Sequence, residues 1–285
     1  MWTFKDHENK DAFRSRDEWL LMTKDYRDPF GLPQVHVHDG ISVIRDDLLV
    51  GGTKVRAAAH LLSQIDEDTV VYVVPRKGLA GVALIEAAKM HGKRVVFFMP
   101  SSRTASDIQA WCYERAADTH FHRIAAMPNL NRIAKQWAED NGAFFVPLGL
   151  NHELGTAALV RTAYNMEQAG YAPEHMYVAT STGVLIRAMQ IGMPNTTFTA
   201  VAVARNLQQG EKGPASFIPE KRPFLQDEAK EHQPPYPSVA NYDAKVWKYA
   251  MPGSCIWNVG TDEGLTGDKS AIDSFRQWPK KGNQK

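Results

Sequence analysis

Residues 41–65 read ISVIRDDLLVGGTKVRAAAHLLSQI, and the fold turns on how Gly51-Gly52-Thr53-Lys54 within them is understood. An apolar run (Ile41, Val43, Ile44) breaks at Asp46-Asp47, and a glycine pair then delivers one lysine to the start of a helical pattern. Paired glycines allow tight turns and close backbone approach that a Cβ forbids. A lysine at the start of a helix meets the positive end of its dipole, which disfavours further positive charge. Such a setting depresses a lysine pKa, as a Schiff-base lysine requires. Taken alone, the four residues fit equally simply as a loop glycine pair followed by a solvated lysine.

Outward from this stretch, strands and helices alternate. The segment after Lys54 is Ala/Leu-rich and helical, with Val55, Ala58, Leu62 and Ile65 on one stripe. TVVYVV (69–74) and RVVFFMP (94–100) are continuous β-branched or aromatic runs, as in strands buried on both faces. The helix VALIEAAKMHG lies between them, closed by Gly92. Further helices are expected over 102–117, 129–141, the run LGTAALVRTAYNMEQAG, VLIRAMQIG, YDAKVWKYA and 268–278, and further strands at THFHRI, AFFVP, HMYVAT, 196–204 and SCIWNVG. Residues 1–33 predict an arm with a short helix, 208–238 a long Pro- and Gly-rich loop or lid, and KKGNQK a disordered tail. This rhythm predicts an α/β protein with mostly parallel sheets, in which ligands bind beyond the carboxyl ends of strands.

Composition narrows the function classes. With 285 residues, 44% hydrophobic and 23% charged, the chain is long enough for one large or two modest domains with a sizeable core. A formal net charge of +1 gives no overall electrostatic capture of nucleic acid. The two cysteines, Cys112 and Cys255, are far apart and carry no metal-ligand spacing, which suits a reducing compartment and excludes a disulfide scaffold. The charged N-terminus has no apolar signal core, and no apolar run approaches about 18 residues, so neither secretion nor a membrane span is expected, and a cytoplasmic location is. His36 and His38 alternate on one strand face, but no third ligand is near, so no metal is assigned.

Three strand-to-helix junctions carry chemistry: 51–54, 75–81 and 180–184. Thr180-Ser181-Thr182-Gly183-Val184 combines hydroxyls with a helix N-terminus, which is either a phosphate cradle or a simple helix cap. Arg76-Lys77-Gly78 is either an anion site or a solvated turn. The GxxxxGK[ST], GxGxxG and GxSxG patterns are absent, which leaves nucleotide-binding loops and serine-hydrolase elbows without support.

Ile44–Leu62 resembles the lysine segment of the fold-type II pyridoxal-phosphate enzymes, the tryptophan synthase β-subunit-like group. It is most similar to the branch of aminocyclopropane-carboxylate deaminase and D-cysteine desulfhydrase. Arg45-Asp46-Asp47-Leu48, Gly51-Gly52, Lys54 and Arg56 match that branch's pattern, and Thr53 stands where it usually has Asn. The resemblance continues in order: PRKGLAGVALIEAAKMHGKRVVFFMP (matching at Gly78, Gly81, Ala83 and Pro100), VPLGLNHELGTAALVRTAYNM, YVATSTGVLIRAM at the phosphate loop and SCIWNVG at the last core strand.

The resemblance implies two three-layer αβα domains with mostly parallel sheets: a large cofactor domain (1–54 and 150–285) and a small domain (55–149). It implies pyridoxal 5′-phosphate bound through Lys54, with Leu79, Thr180, Ser181, Thr182, Gly183, Val184 and Asn258 around it. Arg76, Lys77, Gly78 and Ala80 fall where relatives bind the substrate carboxylate. Several positions depart from the family: Leu79 replaces the Asn that contacts the cofactor's 3-hydroxyl, Arg76 and Lys77 replace serines, and Thr180 and Thr182 replace glycines. Val259, with Asn258 beside it, replaces the Thr facing the pyridine nitrogen. A neutral group there favours elimination or replacement at Cα and Cβ. The expected function is a lyase or deaminase acting on an amino acid or amino-acid conjugate, in a homodimer. One alternative is an enzyme, such as a decarboxylase, acting on an amino acid attached to modified thymidine in phage DNA. Another is a cofactor-binding homologue without turnover.

Overall fold

The computed structural model describes residues 8–101, 105–123, 126–208 and 210–274. In chain order these form α1 (Arg16–Leu21), β1 (Gln34–His38), β2 (Ile41–Arg45), α2 (Thr53–Ser63), β3 (Thr69–Val73), α3 (Ala80–His91) and β4 (Arg94–Pro100). There follow α4 (Asp107–Arg115), β5 (Asp118–His122), α5 (Met127–Asp140), β6 (Phe144–Phe145), α6 (Glu153–Gln168), β7 (His175–Thr180) and α7 (Val184–Gly192). The chain continues through β8 (Thr197–Ala202), β9 (Ser216–Pro219), a 3-10 segment (Asp243–Tyr249), β10 (Cys255–Asn258) and α8 (Lys269–Ser274).

The strands form a six-stranded sheet, β1-β2-β10-β7-β8-β9, and a four-stranded sheet, β5-β4-β3-β6. All pairings are parallel except the β1–β2 hairpin. The continuous apolar runs of β3 and β4 have the expected cause. Val70, Tyr72, Val95 and Phe97 face the main core with α2 and α3, while Val71, Val73, Val96 and Phe98 face Leu130, Ala134 and Ala138 of α5. The larger sheet buries Ile44, Trp257, Val178 and Ala200 against α2, α6 and α7. Its other face (Tyr177, Ala179, Val201, Ile256) is covered by Val246 and its neighbours in the 3-10 segment rather than by a long helix.

The fold class expected from the sequence is therefore the one observed. Local differences have physical reasons. The 208–238 loop is not wholly irregular, because Ser216–Pro219 pairs parallel to Thr199–Ala202 and extends the sheet. YDAKVWKYA winds as 3-10 rather than α. Residues 275–278 of the expected last helix and the KKGNQK tail lie outside the described residues. Among the described residues, no helix is long and apolar enough to cross a membrane.

Candidate active site

Gly51-Gly52 wedges the start of α2 between α3 and the end of β10. A Cβ on Gly51 would lie 2.8 Å from the Ala83 Cα, and one on Gly52 would lie 2.0 Å from the Val259 carbonyl oxygen. Gly52 has φ 61° and ψ −153°, a conformation open in practice only to glycine. The Thr53 N–H then donates to the Val259 carbonyl at 2.8 Å, which fixes Lys54 in the first turn of the helix.

The Arg-Asp-Asp prelude supplies the mounting. Asp46 accepts from Arg56 Nε at 2.9 Å, and the Arg56 guanidinium also donates to Asp28 and to the Gly31 carbonyl. Trp257 Nε1 donates to Thr53 Oγ1 at 2.8 Å and to Asp46 at 3.2 Å, tying β10 to the lysine turn. Asp47 takes two 2.7 Å hydrogen bonds from Arg45, whose guanidinium lies over the Tyr236 ring. These charges are buried and mutually paired, so they hold Lys54 in place rather than meeting a ligand.

Lys54 opens into a cleft with about 950 Å³ of empty space including its mouth, continuous with a deeper recess of about 470 Å³. The recess is lined by Thr180, Ser181, Thr182, Gly183 and Val184, where β7 gives way to α7. Gly183 has φ 73°, and a Cβ there would lie 1.9 Å from the Glu211 carbonyl oxygen. The turn opens a helix, whose first N–H groups have no intrahelical partner, and a helix start of this kind suits an anion. The Thr180 hydroxyl donates to the Val178 carbonyl at 2.9 Å, so it braces the loop.

The outer cleft contains Lys77, Gly78, Leu79 and Ala80, together with Tyr72, Met127, Leu148, Phe224 and Val239. Arg76 is exposed and is not among the lining residues. Leu79 is buried, and a Cβ on Gly260 would lie 2.4 Å from its Cδ1, so this side chain packs beside the end of β10. Asn258 is buried outside both cavities: its amide donates to the Pro237 carbonyl at 2.8 Å and accepts from Ser238 Oγ at 3.0 Å. The fold thus spends Asn258 on anchoring residues 237–238.

Sequence reading missed Tyr242 and Asp243, which enter the cleft where the 3-10 segment begins. Asp243 is buried, and neither carboxyl oxygen makes a well-formed hydrogen bond. Burial pushes its pKa well above the ordinary carboxylate value, opposed by the nearby Val259 and Gly260 N–H groups and by Lys54. Burial pushes the Lys54 pKa below the ordinary lysine value, opposed by Asp243. Both groups are therefore drawn toward their neutral forms in one desolvated pocket. The sequence reading placed only the neutral Val259 and Asn258 at this strand end, whereas the buried carboxyl of Asp243 lies beside Val259. No local pattern in ANYDAKVW ties Asp243 to Lys54; the one available cue is an acid among apolar residues at the end of a Pro-rich loop.

The sequence model of a family described as pyridoxal-phosphate dependent enzyme matches residues 36–238. The chain belongs to the pyridoxal-phosphate-dependent enzyme family. Solved structures agree on the fold. An ACC deaminase homologue superposes with a TM-score of 0.68 at 14% identity, over 90% of this chain and 98% of that one. Apo diaminopropionate ammonia lyase from Escherichia coli gives 0.62 at 12% identity, over 95% and 94%. Processed threonine deaminase isoform 2 from Solanum lycopersicum gives 0.55 at 12% identity over 68% of this chain, which spans only 56% of that protein. A comparison with curated protein sequences finds no match.

The residues present fit the family's cofactor. Lys54 offers a desolvated amine, the 180–184 turn offers a helix start suited to an anion, and the buried carboxyl of Asp243, near only the Val259 and Gly260 N–H groups, suits a protonated ring nitrogen. Leu79 offers no hydrogen-bond donor to the 3-hydroxyl, so this contact of the family is not reproduced by that side chain.

Proposed function

We propose that this chain is a lyase or deaminase that uses pyridoxal phosphate held at Lys54 to break a bond at Cα or Cβ of an amino acid or amino-acid conjugate. The observation that carries this reading is the convergence of three groups in one cleft: the desolvated Lys54 amine, the anion-binding helix start at 180–184 and the buried, unpaired Asp243. When bound, the cofactor supplies an aldehyde for amines and an electron sink for bonds to Cα.

The protein's own groups then divide the work. Ser181, Thr182, Gly183 and Val184 bind the phosphate through backbone N–H groups and hydroxyls, braced by Thr180. Asp243 would hold a proton at the ring nitrogen, in place of the uncharged partner expected from Val259 or Asn258. Lys77, with the N–H groups at the start of α3 near Gly78 and Ala80, binds the substrate carboxylate. Lys54, whose pKa burial pushes below the ordinary lysine value, would move the proton at Cα of the substrate. Leu79, Phe224 and Val239 exclude water from the reacting centre. Met127 and the exposed Leu148 make the mouth apolar, which suits an amino acid carrying a sizeable apolar group. In this reading residues 1–54 and 150–285 form the cofactor domain and 55–149 the small domain.

The test is to incubate purified protein with pyridoxal phosphate, reduce with borohydride and map the labelled peptide. Label on Lys54, lost in Lys54→Ala, is expected; label elsewhere or none overturns the assignment. Ammonia, keto acid or carbon dioxide released from free amino acids, or from amino-acid-modified nucleosides, then identifies the reaction. Trapping at Lys54 with no product from either panel would count against turnover.

A further inference from the structure

The charged side chain most completely enclosed behind the phosphate turn has no part in the chemistry above. Arg187, one turn into α7, is 0% exposed, and its guanidinium reaches three separate segments. Nη1 donates to the Thr182 carbonyl at 2.8 Å, Nη2 to Asn151 Oδ1 at 3.2 Å, and Nε to Asp11 Oδ2 at 2.5 Å. The arm that brings Asp11 is itself docked. Asn9 Nδ2 donates to the Arg187 carbonyl at 3.1 Å and to Gln190 Oε1 at 3.2 Å, and the Lys10 N–H donates to the Gly210 carbonyl at 3.3 Å.

We propose that Arg187 is a positioning residue for the phosphate turn, clasped by the N-terminal arm through Asp11. A trans peptide points its C=O and N–H in opposite directions. Drawing the Thr182 carbonyl onto Nη1 therefore turns the Gly183 N–H away from the buried arginine, leaving it free for an anion. The positive φ of Gly183 is held from the same side, since a Cβ there would lie 2.7 Å from Nη1. Through Asn151, the same guanidinium fixes the turn carrying Gly149 and Leu150, which also line the recess. Asp11 balances the buried cation, so a sound clasp needs the arm in place. Sequence alone offers no sign of this, because Asp11, Asn151 and Arg187 lie on three distant segments.

This inference rests on 180–184 being the phosphate site, and the test separates the two. Pyridoxal and pyridoxal phosphate share the aldehyde and ring, so the ratio of their dissociation constants, read from spectral titration of the lysine-bound form, isolates the phosphate's contribution. In the wild type, pyridoxal phosphate should bind more tightly than pyridoxal. Arg187→Met should cut that preference at least about tenfold, the worth of one charge-assisted hydrogen bond, while leaving pyridoxal affinity nearly unchanged. Arg187→Lys should restore part of it. Asp11→Asn, which leaves the arginine in place, should lower the preference in the same direction and serves alone if Arg187→Met fails to fold. An unchanged preference in the folded variants, or equal losses for both ligands, overturns the role of Arg187. No preference in the wild type overturns the phosphate-site reading instead.

Discussion

Replacing Arg56 by methionine keeps much of the aliphatic length while deleting a cation that is 1% exposed. The structure sets the consequence. Asp46, 0% exposed, loses its charged partner and keeps the Trp257 indole N–H at 3.2 Å, and Asp28 loses its ion pair as well. Removing one member of a buried ion pair costs about 3–5 kcal/mol. At about 2.1 cal/mol/K per residue, 285 residues unfold with roughly 0.6 kcal/mol/K, so Tm should fall by about 5–8 °C. The deficit should also depend on pH. Burial already raises the Asp46 pKa, with Arg56 opposing, so the variant raises it further. A carboxyl whose folded pKa lies above its unfolded value contributes stability at low pH that is lost as pH rises through the folded pKa. The gap between wild type and variant should therefore be widest above neutrality and shrink on acidification. Thermal unfolding by circular dichroism at about pH 5 and about pH 8 measures both. A fall of less than about 2 °C at the higher pH, or a gap that widens in acid, would refute this account of the Asp46 mounting.

Gly52→Ala should destabilise by more than about 2 kcal/mol, since it combines a strained φ with a Cβ 2.0 Å from the Val259 oxygen, and urea unfolding with Lys54 trapping should show both losses together. Asp243→Asn should move the pH profile of Lys54 acylation in the apoprotein to lower pH, because the carboxylate opposes the downward push of burial on the lysine; peptide mass mapping reads this, and a shift to higher pH would contradict the coupling.

Much of the fold was legible locally. The runs at Thr69–Val73 and Arg94–Pro100 are apolar on both faces because helices cover both sides of the smaller sheet, and Gly92 closes α3 with φ 64° as its position predicted. The Pro-rich 208–238 stretch hid an edge strand, because four residues pairing only with β8 leave little periodic signal. At the site, Lys54 and the 180–184 turn were legible because a glycine turn and a helix start are built from adjacent residues. The roles of Arg45, Asp46, Asp47 and Arg56 were not, since a buried ion pair and a ligand-binding charge look alike in sequence.

The sequence by itself determined an alternating α/β chain, a lysine delivered by Gly51-Gly52 and a hydroxyl-rich turn at a helix start, all products of interactions spanning a few residues. Only the tertiary structure decided which distant groups share the cleft. Parallel pairing of β10 between β2 and β7 brings Val259 against Gly52 and carries Asp243 to Lys54, consumes Asn258 in holding residues 237–238, and leaves Arg76 outside. Desolvation follows from that enclosure: it pushes the Lys54 pKa down and the Asp243 pKa up, drawing both groups toward their neutral forms.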